Sequence, residues 1–217
     1  MTNAERSAAT RQRLLDAAAH VFAEDGFRSA TIQRICRRAD ANIAAAHYHF
    51  GGKAELYGAV FEYAAELAER QYPPEDGHDA PAEERLRAHI TAFLTRLLDP
   101  HRPAWFARLL AREMIDPTPA LDRLVRRRMR ANHAHLSAIT RELLGPAASP
   151  ASIRLCTLSV VSQCVFYRNS APIIARLYPD LVPAKEVARI ADHVTRFSLA
   201  AIRGLRRAAG PEGKRNG

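Results

Sequence analysis

The sequence predicts an all-α protein: an N-terminal three-helix unit built around a helix-turn-helix, followed by a larger helical C-terminal part. Three observations carry this. Apolar residues recur three and four positions apart in successive stretches of the chain. No stretch shows the two-residue alternation of a half-buried strand. Prolines fall between the periodic stretches rather than inside them.

Taken in order, Arg6 to Asp25 reads as a first helix, with Leu14, Leu15, Ala18, Val21 and Phe22 inward. Gly26 lies just past its end, and Phe27 packs back onto the bundle. Thr31 is an N-cap for a second helix whose stripe is Ile32, Ile35, Cys36 and Ala39. Asp40 breaks the period, since Asp tolerates the left-handed backbone that closes a helix. Asn42 caps a third, short helix opened by Ile43, Ala44 and Ala45, side chains too small to build a core alone. Lys53 to Gln71 forms a fourth, with Leu56, Val60, Tyr63, Ala64 and Leu67 inward, and Gly51-Gly52 before it leaves free N–H groups for a phosphate.

Tyr72 to Pro81 reads as a linker, with three prolines and one glycine. Beyond it come helices over Pro81–Leu98 and Ala104–Ile115, a corner at Asp116–Pro119, and one long basic helix over Ala120–Leu144. Ser152–Asn169 and Ala184–Arg207 are the last two helices, joined by a proline-broken connection over Pro172–Pro183. The tail from Ala208 has nothing to bury and is expected to be disordered. The expected domains are therefore 1–71, 81–207 and the tail 208–217.

Composition sets the class. Of 217 residues, 47% are hydrophobic and 25% charged, the balance of a folded globular chain. No run approaches 18 apolar residues, so no membrane partner is expected, and the N-terminus lacks the apolar core of a signal peptide. The expected location is cytoplasmic. Three cysteines (Cys36, Cys156, Cys164) without Cys-x-x-Cys spacing argue against a disulfide scaffold or zinc ribbon. The charge of +9 is unevenly placed: residues 1–71 hold nine Lys/Arg and nine Asp/Glu, and the excess lies beyond them. Arg28, Arg34, Arg37, Arg38 and Lys53 nonetheless face Asp40 alone over 28–53, a local cluster of the sign a phosphate backbone attracts.

The stretch from Thr31 to Lys53 is the one with chemistry in it. A helix with small outward side chains, presented by a short turn from a preceding helix, can lie in the DNA major groove. Leu14-Leu15-Asp16-Ala17-Ala18, Phe22-Ala23-Glu24-Asp25-Gly26-Phe27, then Thr31, Ile35 and Ala39, then Tyr48-His49-Phe50-Gly51-Gly52-Lys53 and Glu55-Leu56 follow in order over about sixty residues. This run resembles the DNA-binding domain of TetR-family transcriptional regulators. Where that family usually has Gly the chain has Asp40, and in place of Thr-Leu-Tyr it has Ala45-Ala46-His47. The segment Trp105 to Pro119 and Gln163 to Arg168 are similar to one C-terminal domain class attached to some of these regulators, which implies a ligand-sensing, dimer-forming domain.

For direct readout the candidates are Gln33, Asn42, Ala44, His47 and Tyr48, with Ile43 and Ala45 beside them. Asn and Gln can pair with adenine, and Ala or Ile can touch a thymine methyl. No arginine lies in this helix, which shifts weight to DNA shape. The resemblance assigns Thr31, Tyr48 and Lys53 to phosphates. A ligand pocket would use Trp105, Met114, Phe166 and Tyr167, with Arg108, Glu113, Gln163 and Asn169 as polar groups; the alternative is that the aromatics are core. Arg126, Arg127, Arg128 and Arg130 are a solvated face, or bind an anionic ligand or supplement the DNA contact. His133 and His135, like His47 and His49, are two apart and point to opposite faces of a helix, so no metal site is expected, and no cofactor.

The last two long helices carry surplus apolar surface: Ile153, Leu155, Cys156, Leu158, Val160, Val161, Cys164, Val165 and Phe166 leave one apolar nearly all round, and Val187, Ile190, Ala191, Val194, Phe197, Ala201, Ile202 and Leu205 give the other the same trait. That fits a two-fold four-helix interface, against the alternative of a monomer with a thick core. A homodimer would set two reading helices about one DNA turn apart on a palindromic double-stranded operator. The expected function is a ligand-responsive regulator, a repressor released by a small-molecule effector. Two other classes fit the sequence less well. A non-specific architectural DNA binder is disfavoured by the neutral charge of residues 1–71. An all-α enzyme is disfavoured because no nucleophile sits beside a base and no phosphate loop appears.

Overall fold

The computed structural model describes residues 2–71, 79–100 and 103–209. The described residues form eleven helices and no strand: α1 Asn3–Ser29, α2 Ile32–Ala39, α3 Ile43–Phe50, α4 Lys53–Gln71, α5 Ala82–Leu98, α6 Ala104–Ile115, α7 Pro119–Leu124, α8 Arg130–Leu144, α9 Pro150–Asn169, α10 Ala171–Leu177 and α11 Val187–Ala208. None of them is long and apolar enough to cross a membrane. The linker expected over 72–81 lies outside the described residues for 72–78, and the expected tail does from 210 onward.

One expectation is refined and one corrected. Residues 120–144 are helical throughout, but α7 passes through a π turn at Val125–Met129 before α8 begins. The connection over Pro172–Pro183 contains α10 and a 3-10 turn at Pro183–Lys185. Pro172 sits in the first turn of α10, where its missing N–H would have had no partner, so the proline opens a helix instead of preventing one. α1 also starts earlier than expected, because Thr2 and Glu5 form a reciprocal capping box. Gly26 breaks it where expected, with φ 78° and ψ 170°, a conformation open essentially to glycine alone.

The chain divides into two compact units, one containing residues 1–71 and 101–129, the other 72–100 and 130–217. In the first, Leu14, Leu15, Val21 and Phe22 of α1 bury against Ile35 and Cys36 of α2, and Leu56, Tyr57, Val60 and Phe61 of α4; Phe106 and Leu109 of α6 and Leu124 of α7 complete this core. α6 and α7, which follow the expected boundary in sequence, thus share the core of the N-terminal helices. Their cover explains why Tyr57 and Phe61 are buried although the period of α4 points to Tyr63 and Leu67 instead. Phe61 meets Phe106 edge-on at 6.3 Å.

In the second unit, Leu86, Ile90 and Leu94 of α5 pack with Leu136 and Ile139 of α8, Ile153, Val160 and Cys164 of α9, and Ile190, Val194 and Ile202 of α11. All three cysteines are buried thiols, and burial pushes Cys164 up to about 12, which suits packing and not reactivity. The second apolar stripe of α9 is left in solvent: Leu155 is 65%, Leu158 50% and Phe166 55% exposed. Phe197 and Leu205 of α11 are exposed likewise, and a Cβ on Gly204 between them would meet nothing within 4 Å.

Candidate nucleic-acid interface

Each helix of the turn is closed by its own side chains. Thr31 Oγ1 accepts from the Arg34 N–H at 3.2 Å and starts α2. α2 ends at Asp40 in the left-handed conformation, φ 48° and ψ 54°. Asn42 Oδ1 then accepts from the Ala45 N–H at 2.7 Å and starts α3. These are the caps expected at Thr31, Asp40 and Asn42. Asn42 therefore uses its carbonyl oxygen inside the protein, and its Nδ2 is the group left to face outward.

α3 buries only Ala46. Ile43, Ala44, His47 and Tyr48 fall on one outward face, with Tyr48 82% exposed, while Ala45 is half-buried. On α2, Gln33 is exposed on the same flank as Arg37. His47 Nδ1 lies 2.9 Å from Gly51 O. With Nδ1 donating to that carbonyl, Nε2 is an acceptor suited to an exocyclic amine of adenine or cytosine.

The local cluster of cations is largely spoken for. Arg34 donates to both carboxylate oxygens of Asp25 at 2.6 Å and to Glu24 at 2.8 Å. Arg38 reaches Glu24 at 3.4 Å, and Arg28 pairs with Asp116 at 2.8 Å. Lys53 Nζ donates to the carbonyls of Arg28 and Ala30, each at 3.1 Å, and stands over the Phe27 ring at 4.8 Å. Counting charges over 28–53 leaves out Glu24, Asp25 and Asp116, which the fold brings in from α1 and from the end of α6. At the start of α4, Glu55 stands in the first turn, with Oε2 only 2.9 Å from where a Cβ on Gly52 would lie. A carboxylate therefore already neighbours the N–H groups expected to receive a phosphate.

Two further cations near α3, Arg11 and Arg13, lie outside the cluster expected over 28–53. Arg11 lies over the Phe50 ring at 5.3 Å, and Arg13 donates to Asp40 O at 3.4 Å. Arg37 has no ion-pair or hydrogen-bond partner among the described residues. No local signal distinguishes Arg37 from Arg34 and Arg38, because the partners that separate them are far away in sequence.

The pocket candidates divide between the units. Trp105, Arg108, Glu113 and Met114 lie on α6 in the first, and Gln163, Phe166, Tyr167 and Asn169 on α9 in the second. Glu113 is buried and accepts from the Tyr57 hydroxyl at 2.8 Å, and from the Thr118 N–H and hydroxyl at 2.9 Å. Burial and that hydrogen bond raise the Tyr57 hydroxyl above its ordinary value. The carboxylate is thus saturated, and it ties the α6–α7 corner to α4 in place of facing a ligand. Trp105 and Arg108 line an open cleft of about 350 Å³ against His20, Ala23 and Glu24 of α1, and Trp105 stacks on Tyr63. Gln163 donates to Ser159 O and Ser198 Oγ, both at 3.2 Å. Tyr167 is half-buried against the second core, while Phe166, Asn169 and Met114 are exposed. In the arginine cluster, Arg127 and Arg128 both reach Glu62 of α4. Among the described residues no group of three or more His, Cys, Asp or Glu is placed to hold a metal ion.

Known proteins share this architecture. Residues 14–60 match the family described as bacterial regulatory proteins, tetR family, and residues 82–202 match the C-terminal domain of the HTH-type transcriptional dual regulator CecR. The chain is 26% identical to the HTH-type transcriptional repressor NicS of Pseudomonas putida over 210 residues, covering 94% of this chain and 96% of that one. It is 27% identical to CecR of Shigella flexneri over 172 residues, 73% of this chain and 75% of that one. A shorter match, 44% identical over 66 residues, takes in 30% of this chain and 28% of the length of the Pseudomonas putida regulator SrpR. In fold, the chain resembles the regulator FadR of Bacillus subtilis, crystallised with stearoyl-CoA, at a TM-score of 0.58 and 16% identity over 85% of this chain and 97% of that one. A capped helix-turn-helix matched at the N-terminus and a CecR-type helical domain matched over 82–202 lead to one conclusion: the chain belongs to the TetR family of bacterial transcriptional regulators.

Proposed function

We propose that the chain acts in the cytoplasm as a homodimeric repressor that holds a palindromic operator until a small molecule lowers its affinity. The observation that carries this reading is the outward face of α3, where Ile43, Ala44, His47 and Tyr48 stand free of the core on a helix capped at its start by Asn42. Thr31, Gln33, Ala45 and Lys53 complete the proposed contact set. Support for pairing comes from the solvent-facing apolar stripes of α9 and α11, whose small residues Ala200, Ala201 and Gly204 allow close helix approach. NicS is named as a repressor, and FadR holds an acyl-CoA; both favour repression relieved by a small ligand. Release requires only that the effector bind the two states of the dimer with different affinity. Its proposed contacts are Trp105 and Arg108, which line the cleft between α6 and α1 within the first unit.

Fluorescence anisotropy on duplexes from the protein's own upstream region tests this. The expected result is saturable binding that weakens with salt and favours one sequence over a shuffled duplex. His47→Ala is expected to change that preference by roughly tenfold at one base pair, about 1–3 kcal/mol. Equal affinity for unrelated duplexes would favour the architectural reading instead.

A further inference from the structure

We infer that His47 meets DNA only as a hydrogen-bond acceptor, so that each half-site presents to it the exocyclic amine of an adenine or a cytosine. The inference rests on the DNA-binding reading above and names the class of base that one of its residues selects. Residues 47 and 51 are joined twice at the end of α3. The Gly51 N–H donates to His47 O at 2.8 Å, and His47 Nδ1 lies 2.9 Å from Gly51 O. A carbonyl oxygen can only accept, so the proton of the second bond sits on Nδ1. In the neutral ring that leaves Nε2 with a lone pair and no hydrogen. Gly51 makes the second bond possible. With φ 82° and ψ −47° it takes a backbone that residues with a Cβ rarely adopt, and holds its carbonyl within reach of the ring four residues earlier.

The remaining nitrogen decides what the ring can meet. Phosphate oxygens are acceptors, as are O6 and N7 of guanine and O4 of thymine, and a lone pair on Nε2 matches none of them. The major-groove atoms that donate are the N6 amine of adenine and the N4 amine of cytosine. His47 is exposed on the outward face of α3 beside Ile43, Ala44 and Tyr48, where such an edge would lie. Asn42 is restricted in the opposite sense. Its Oδ1 accepts from the Ala45 N–H at 2.7 Å, which leaves the Nδ2 donor to face outward. α3 thus carries one donor and one acceptor, each fixed by the cap at its own end of the helix. A doubly protonated imidazole would carry a donor at Nε2 instead and suit a phosphate or a guanine.

Two measurements test this. Proton–nitrogen correlation NMR on the free protein, in the binding buffer, reads the ring directly, with the His47 signal identified among the nine histidines by its loss in His47→Ala. The expected ring carries its proton on Nδ1 and none on Nε2; a proton on Nε2 overturns the inference. Anisotropy then uses promoter duplexes in which each adenine in turn is replaced by purine, which lacks the N6 amine, and each cytosine by 2-pyrimidinone, which lacks the N4 amine. At one position, removing the amine is expected to weaken wild-type binding roughly three- to tenfold and to leave His47→Ala unaffected. The salt slope of His47→Ala is expected to equal that of the wild type. A slope flattened by about 0.9 per bound protomer marks a phosphate contact and overturns the inference. Binding that senses no amine through His47 overturns it too, while leaving the DNA-binding reading intact. Failure of the wild-type chain to bind any promoter duplex overturns that reading itself, and this inference with it.

Discussion

Lys53 shows how a residue's place can be legible in the sequence while its partners within the fold are not. Its position after Gly51-Gly52 marks the start of α4 in the sequence, but its carbonyl partners lie more than twenty residues upstream. Caps behave otherwise, because their geometry is local: Thr31, Asp40 and Asn42 were legible since each acts within three or four residues of itself. Gly26 belongs with them. With φ 78° and ψ 170°, and with Arg112 Nη1 only 2.9 Å from where a Cβ would sit, Gly26→Ala is expected to cost about 1–3 kcal/mol in urea unfolding. Tyr57 is the opposite case. Nothing near it announces that its hydroxyl serves Glu113, 56 residues away. Tyr57→Phe removes one donor from a buried carboxylate and is expected to destabilise by about 1–3 kcal/mol, with DNA readout unchanged once the chain is folded.

At the level of helices, periodicity located nearly every element but not what covers it. The α7–α8 run illustrates the limit. Its period is compatible with one helix, yet a π turn intervenes where Arg127 and Arg128 reach Glu62 of α4. Across the α5–α8 seam, His89 of α5 and His135 of α8 approach to 5.5 Å between ring centres, a pairing invisible in sequence. Burial, then His135, then Arg96, lower His89 from 6.5 to about 4. The folded state therefore resists protonation that the unfolded chain accepts. Stability is full above about pH 6.5 and falls as the pH drops toward 4, by an amount on the order of 3 kcal/mol. Chemical denaturation at pH 7.0 and 4.5 measures this, and His89→Phe is expected to remove most of the difference. A wild-type stability independent of pH over that range would contradict the assignment.

For the molecule as a whole, the all-α class and the helix-turn-helix were legible because apolar spacing and capping are both encoded nearby. The grouping of α6 and α7 with the N-terminal helices was not, since it depends on which of several apolar faces meet. Association is the next question of scale. Phe197, 60% exposed on the free stripe of α11, is expected to be buried in a homodimer. Phe197→Glu should then convert a dimer to a folded monomer by light scattering, and weaken operator binding at least tenfold as the two reading heads lose their tether. The central claim is that α3 reads duplex DNA through Ile43, Ala44, His47 and Tyr48. Its most direct measurement is an anisotropy titration of the wild-type chain against a promoter duplex and its shuffled counterpart, repeated at rising salt. Tighter binding to the promoter duplex, weakening steadily with salt, is the predicted result; no binding to either duplex would contradict it.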